Sequence, residues 1–103
     1  MIIVTGSVRT KPETEAELIA LCREHCARSR AEDGCLAHNI HADCDDPARL
    51  VFVEYWRDLA ALEAHFALKD SREFVRTARR LSAGGDPMRI FEAADVTAEI
   101  LQG

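Results

Sequence analysis

Five residues in the second and third quarters of the chain have side chains that could do chemistry together: Asn39, His41, Glu54, Trp56 and His65. An imidazole near neutral pH can take or give a proton. An amide can donate to an oxygen that is gaining charge. A carboxylate can orient either of them, and an indole can stack on an aromatic ring. Each also has a bland role. A Trp at a strand end is more often core, and a His beside an apolar helical stripe is more often packed and hydrogen-bonded. A Glu flanked by Phe52 and Trp56 on one strand face needs a partner or a raised pKa if it is buried. Asn39 and His41 would be solvated or lie at a subunit contact. Alone, these residues define a candidate pocket and nothing more specific. Other signatures are missing. Gly84-Gly85 lacks the Lys and helix start of a phosphate loop, and no serine stands in a nucleophile elbow.

The elements that must hold these residues follow from periodicity. Ile2–Val8 reads as a strand. Thr10 and Glu13 have capping-box spacing, with Pro12 tolerated in the first turn. Leu18, Cys22, Cys26 and Ser29 then mark the buried stripe of an amphipathic helix ending near Glu32, with Leu21 and His25 beside it. Gly34 suits a helix stop. Residues 35–43 alternate, Leu36, His38, Ile40 and Ala42 on one face and Cys35, Ala37, Asn39 and His41 on the other. After the turn cluster Asp43–Pro47 comes the clearest strand, Leu50–Trp56, so the two pair as a hairpin. Asp58 caps a helix from Leu59 to about Phe66, and Ser71 caps another carrying Phe74, Ala78 and Leu81. The 83–87 stretch breaks the chain before a strand at 88–94. The tail from Val96 to Leu101 fits a short helix or a strand equally.

Strand, helix, strand, strand, helical pair, strand is the ferredoxin-like βαββαβ order: an α+β antiparallel sheet with helices on one face. The sheet is apolar on both faces. Leu50, Phe52 and Trp56 oppose Val51, Val53 and Tyr55. Helices cover one side only, so the other should meet a second copy, giving a homodimer whose two sheets form a dimeric α+β barrel.

With 103 residues the chain has room for one domain, residues 1–103. Hydrophobic residues make up 48% and charged residues 30%, which argues against disorder. Thirteen Lys and Arg against eighteen Asp and Glu, a net charge of −5, argue against nucleic acid and anionic membrane surfaces as partners. The chain shows no signal core or membrane-length apolar run, so a cytoplasmic location is expected. Cys22, Cys26, Cys35 and Cys44 form no C-x-x-C, and the reading favoured for them is small buried hydrophobes, with no metal or cofactor expected.

Glu32-Asp33-Gly34-Cys35-Leu36, Asp43, Asp46-Pro47, Glu54-Tyr55-Trp56 and Ala61-Leu62-Glu63-Ala64-His65-Phe66 stand in an order and spacing that resemble the antibiotic biosynthesis monooxygenase family, over nearly the whole chain. The resemblance implies the ferredoxin-like dimeric barrel and the oxidation of a small quinol or phenolic aromatic substrate by O₂ without a cofactor. It implies catalytic roles for Trp56 (stacking on or orienting the substrate), Asn39 (oxyanion donor) and His65 (a base, or the holder of one), with His41, Glu54, Phe66 and Phe74 at the substrate and Glu54 orienting a neighbour. The chain departs from the pattern at Asp70, where many relatives carry a second His, and at His38, where an aromatic residue is common. Gly6-Ser7 stands where the haem-degrading branch needs Asn. Two other readings compete. One is an isomerase of a small phosphorylated metabolite, which a basic pocket of Arg72, Arg76, Arg79 and Arg49 would favour. The other is a non-enzymatic ligand-binding dimer.

Overall fold

The computed structural model describes residues 1–102. The chain runs β1 (Ile2–Arg9), α1 (Glu15–Arg30), β2 (Cys35–Ala42), β3 (Arg49–Trp56), α2 (Leu59–Ala67), α3 (Lys69–Leu81), β4 (Arg89–Glu92) and α4 (Thr97–Leu101). The strands form one antiparallel sheet in the order β2-β3-β1-β4. This is the expected ferredoxin-like sheet, with β1 and β3 in the centre.

The alternation of β3 is the organising feature. Leu50, Phe52, Glu54 and Trp56 turn inward and are buried, while Val51 and Val53 are half-buried and Tyr55 is exposed on the other face. β1 repeats the phase, burying Ile2 and Val4. Two apolar clusters result. Leu18, Cys22 and Cys26 of α1 join Phe52 with Phe74, Ala78 and Leu81 of α3. Trp56, Ile2 and Val4 pack against Ala61 and Leu62 of α2. Burial pushes the Cys22 thiol up to about 12 and that of Cys26 to about 11, so both act as hydrophobes.

Several boundaries differ from the sequence reading. Helix α1 begins at Glu15, not beside Thr10. Its N-cap residue is Thr14, whose hydroxyl donates to the Leu81 carbonyl at 2.6 Å, so tertiary anchoring replaces the expected capping box. Asp58 caps α2 as expected, accepting from the Ala61 amide at 2.9 Å. Ser71 does not cap α3. The helix starts at Lys69, and Ser71 lies inside it, buried near His65. In β2 an irregularity between Cys35 and Ala37 shifts the register, and Leu36 is left 60% exposed rather than sharing the inward face of His38. β4 is shorter than expected, and the tail forms the helix α4.

Two glycines are required by space. Gly34 has φ +84°, and a Cβ there would meet the Ala61 Cβ at 2.5 Å. At Gly85 a Cβ would lie 2.0 Å from the Ser7 carbonyl oxygen, because residues 83–85 run hard against the end of β1. The Arg9 amide donates to the Gly84 carbonyl and the Ala83 amide to that of Arg9. No helix among the described residues is long and apolar enough to cross a membrane.

Candidate active site

The layer between sheet and helices contains a cavity of about 680 Å³, the size of a small-molecule pocket. Phe52, Phe66 and Phe74 supply apolar wall, and His25, His65 and Glu54 supply polar wall. Residues 84–88 close one side and α3 the other. Arg72, Arg76 and Arg79 stand on the α3 wall at spacings of four and three, so one helix face carries all three.

Each polar group is held by a different element. His65 sits on the inward face of α2 and is buried. Its Nδ1 lies 2.9 and 3.0 Å from the two oxygens of Glu32, in the α1–β2 connection. A carboxylate only accepts, so Nδ1 is the nitrogen that donates to Glu32. Glu54 of β3 is 5% exposed, and its Oε1 accepts from the Trp56 indole Nε1 at 3.0 Å. Two residues apart on one strand, both side chains point inward.

Two further histidines complete the site. His38 of β2 is fully buried, pairs with Glu54 in the sheet register, and has Nδ1 3.3 Å from the Cys26 sulfur. Its Nε2 lies 3.3 Å from Glu54 Oε1 but out of line for a hydrogen bond. Among the described residues it is the one buried side-chain polar atom without such a bond. His25 of α1 stacks on Phe74, ring centres 3.9 Å apart at 3°. Burial, chiefly, pushes its pKa down to about 3, with His38, His65 and Arg28 adding to the effect, so this ring is neutral. One ring nitrogen from each of His25, His38 and His65 lies within 4.8 Å of the others.

The expected site residues therefore separate into three groups. His65, Glu54, Phe66 and Phe74 all border the cavity. Trp56 stands behind it with no exposed surface, in contact with His65 (ring centres 4.7 Å) and Glu54, and does not border the cavity. Asn39 and His41 lie on the opposite face of the sheet, opposing Val53 and Val51. There the Asn39 Oδ1 accepts from Arg30 at 3.3 Å. Strand parity excludes both from any constellation with His65. His25 and His38 take their place. Both sat on inward phases in the sequence, His38 two residues before Ile40 and His25 next to Cys26, and that phase was the available signal.

The chain thus has an antiparallel βαββαβ sheet with a largely apolar pocket under its helix-covered face, bordered by ionisable groups. Residues 1–77 match the family described as antibiotic biosynthesis monooxygenase. The chain belongs to that family. It is 33% identical over 94 residues to an uncharacterized protein of Synechocystis sp.. That match covers 91% of this chain and 64% of the relative, so the chain spans a little under two thirds of its relative's length. Among solved structures it is similar to a Deinococcus radiodurans protein named for the same family (TM-score 0.87, 26% identity, 92% of this chain and 94% of that one). It is also similar to a second structure of that name (TM-score 0.82, 29% identity, 92% and 100%). The family and these neighbours mark the chain as monooxygenase-like, and none of the names states a substrate.

Proposed function

We propose that the chain is a cytoplasmic monooxygenase that oxidises a small quinol or phenolic substrate with O₂ inside the 680 Å³ cavity. The observation that carries this reading is His65: a buried imidazole on the cavity wall whose Nδ1 is held by Glu32, which leaves Nε2 to act as the base. A substrate hydroxyl against Nε2 gives up its proton, and the imidazolium is stabilised by the Glu32 carboxylate. The ionised ring is electron-rich enough to reduce O₂ directly. For a quinol, one oxygen atom enters the ring and the other leaves as water; the substrate supplies all four electrons and becomes a hydroxyquinone. Phe52, Phe66 and Phe74 hold the ring and keep bulk water away from the reacting anion.

The working unit is a homodimer. The open sheet face carries Ile3, Val51, Val53, Tyr55 and Phe91, a contiguous apolar strip that favours a second copy over water.

Oxygen uptake against hydroquinones, naphthoquinols and anthrones, with the protein both as purified and stripped of metal, tests the reading. Enzyme-dependent uptake that falls about 10²–10⁴-fold in His65→Ala is expected for a lost general base. No uptake in either form across the panel overturns it.

Arg72, Arg76 and Arg79 on the cavity wall favour a second reading, isomerisation of a small phosphorylated metabolite. Arg49 does not join them, being paired with Asp43 and Asp86. Protection of the cavity by inorganic phosphate, lost in Arg76→Ala, would support that alternative.

A further inference from the structure

Three of the chain's four histidines meet at one point, contributed by α1, β2 and α2. General base catalysis needs one imidazole, so His25 and His38 have no part in the chemistry described above. Packing alone explains them poorly, since a buried imidazole brings polar atoms that must be satisfied, and His38 Nε2 is not. The ring centres of His25, His38 and His65 are 5.1, 5.4 and 5.6 Å apart, nearly an equilateral triangle. Imidazoles bound through one nitrogen to a tetrahedral ion, at about 2.1 Å, hold their ring centres about 5 Å apart.

The outer contacts point the same way. Nδ1 of His65 faces Glu32 and Nδ1 of His38 faces the Cys26 sulfur, which leaves Nε2 of both rings for the centre, while Nδ1 of His25 accepts from Arg28, so His25 must give up that contact and move its proton off Nε2 to ligate through it. The Arg28 contact is loose, 3.5 Å, and Arg28 is held more closely by Glu24 at 2.9 Å, so it yields when the ring turns. Glu54 Oε1, 3.3 Å from His38 Nε2, supplies an oxygen donor and, with Glu32, negative charge. His25, His65 and Glu54 border the cavity, which leaves a coordination position facing it. The nitrogens, now within 4.8 Å of one another, must close to about 3.4 Å around an ion, a movement that side-chain rotation supplies.

We propose that His25, His38 and His65, with Glu54, bind one divalent first-row transition metal ion at the inner end of the cavity. Imidazole with a single carboxylate suits zinc, iron, nickel or copper and disfavours magnesium or calcium. The inference does not rest on the monooxygenase reading. A metal here would ionise a substrate hydroxyl by coordination, where the metal-free cluster does so through His65.

The test is metal binding without substrate. The stripped protein is dialysed against Zn²⁺ and Co²⁺, and bound metal is counted per chain. One ion per chain is expected, with the visible Co²⁺ bands of a low-symmetry four- or five-coordinate site and no thiolate charge-transfer band. His38→Gln should weaken binding at least about 100-fold, and Glu32→Gln, which touches only the outer nitrogen of His65, about 10–100-fold. His41→Ala and Cys44→Ser should leave it unchanged. Circular dichroism reports whether each variant is folded. Should His38→Gln fail to fold, the Cu²⁺ paramagnetic spectrum of the unmutated protein decides instead, by showing three coupled nitrogens or fewer. No retained ion, an ion kept at full affinity by folded His38→Gln, or one lost with His41 or Cys44 overturns the proposal.

Discussion

Between Ile2 and Leu81 every helix and strand turns at least one side chain into the core, whereas between Ala83 and Gln102 only Ala93 is as much as half-buried. The two regions are similarly apolar in places. The arm carries Met88, Ile90, Phe91, Val96, Ile100 and Leu101, all between 40% and 76% exposed. What differs is what faces them. α1, α2 and α3 cover the inner faces of β1, β2 and β3, while β4 is an edge strand of four residues, all of them exposed. Apolar residues are therefore no guide to burial by themselves; the topology has to bring a second layer to them.

Mutations should expose this contrast through their sizes. Leu62→Ala removes a side chain that is 1% exposed in the Trp56 cluster and should cost about 2–5 kcal/mol in urea unfolding. Acid should cost nearly as much. His25 is held neutral by burial and by His38, His65 and Arg28 around it, with its pKa pushed down from 6.5 to about 3. Between those values the unfolded chain binds the proton and the folded chain does not. Stability therefore falls as pH drops through that window, by up to about 1.4 kcal/mol per pH unit. Unfolding curves from pH 7 to pH 4 should show this slope, and His25→Phe should flatten it. Asp58→Ala removes the α2 cap and should cost about 1 kcal/mol. In the arm, Ile100→Ala should change the stability of the isolated chain by no more than about 0.5 kcal/mol. If it costs as much as Leu62→Ala, the arm is packed against something, and a concentration-dependent midpoint would identify that as another copy. Thiol labelling gives a reading without mutation. Exposed Cys44 should react at once, while Cys22 and Cys26 should react only on unfolding.

How much of this was legible beforehand depends on whether a feature is local. The β3 alternation, the Asp58 cap and the α1 stripe are written within a few consecutive residues, and the strand order follows from them. The capping box at Thr10 failed because Thr14 is anchored to Leu81, a partner 67 residues away. The site was half legible. His65 and Glu54 could be picked out by type and phase, but grouping Asn39 and His41 with them required the hairpin register, which sets His38 and not Asn39 opposite Glu54. That register depends on the irregularity beside Leu36, which no periodicity announces. The meeting of three histidines from three elements is likewise a property of the packed layers, invisible to any pattern along the chain.

Gly85 gives this distinction a practical edge. It has no side chain and lies among exposed residues, yet any larger residue there would collide with the backbone of Ser7 and Val8 and push the outer wall of the cavity away from β1. In a saturation-mutagenesis screen scored on activity, that position should look as intolerant as His65. The two would part only when the survivors were assayed for ligand affinity: His65 variants would still bind and fail to turn over, and Gly85 variants would lose the ligand itself.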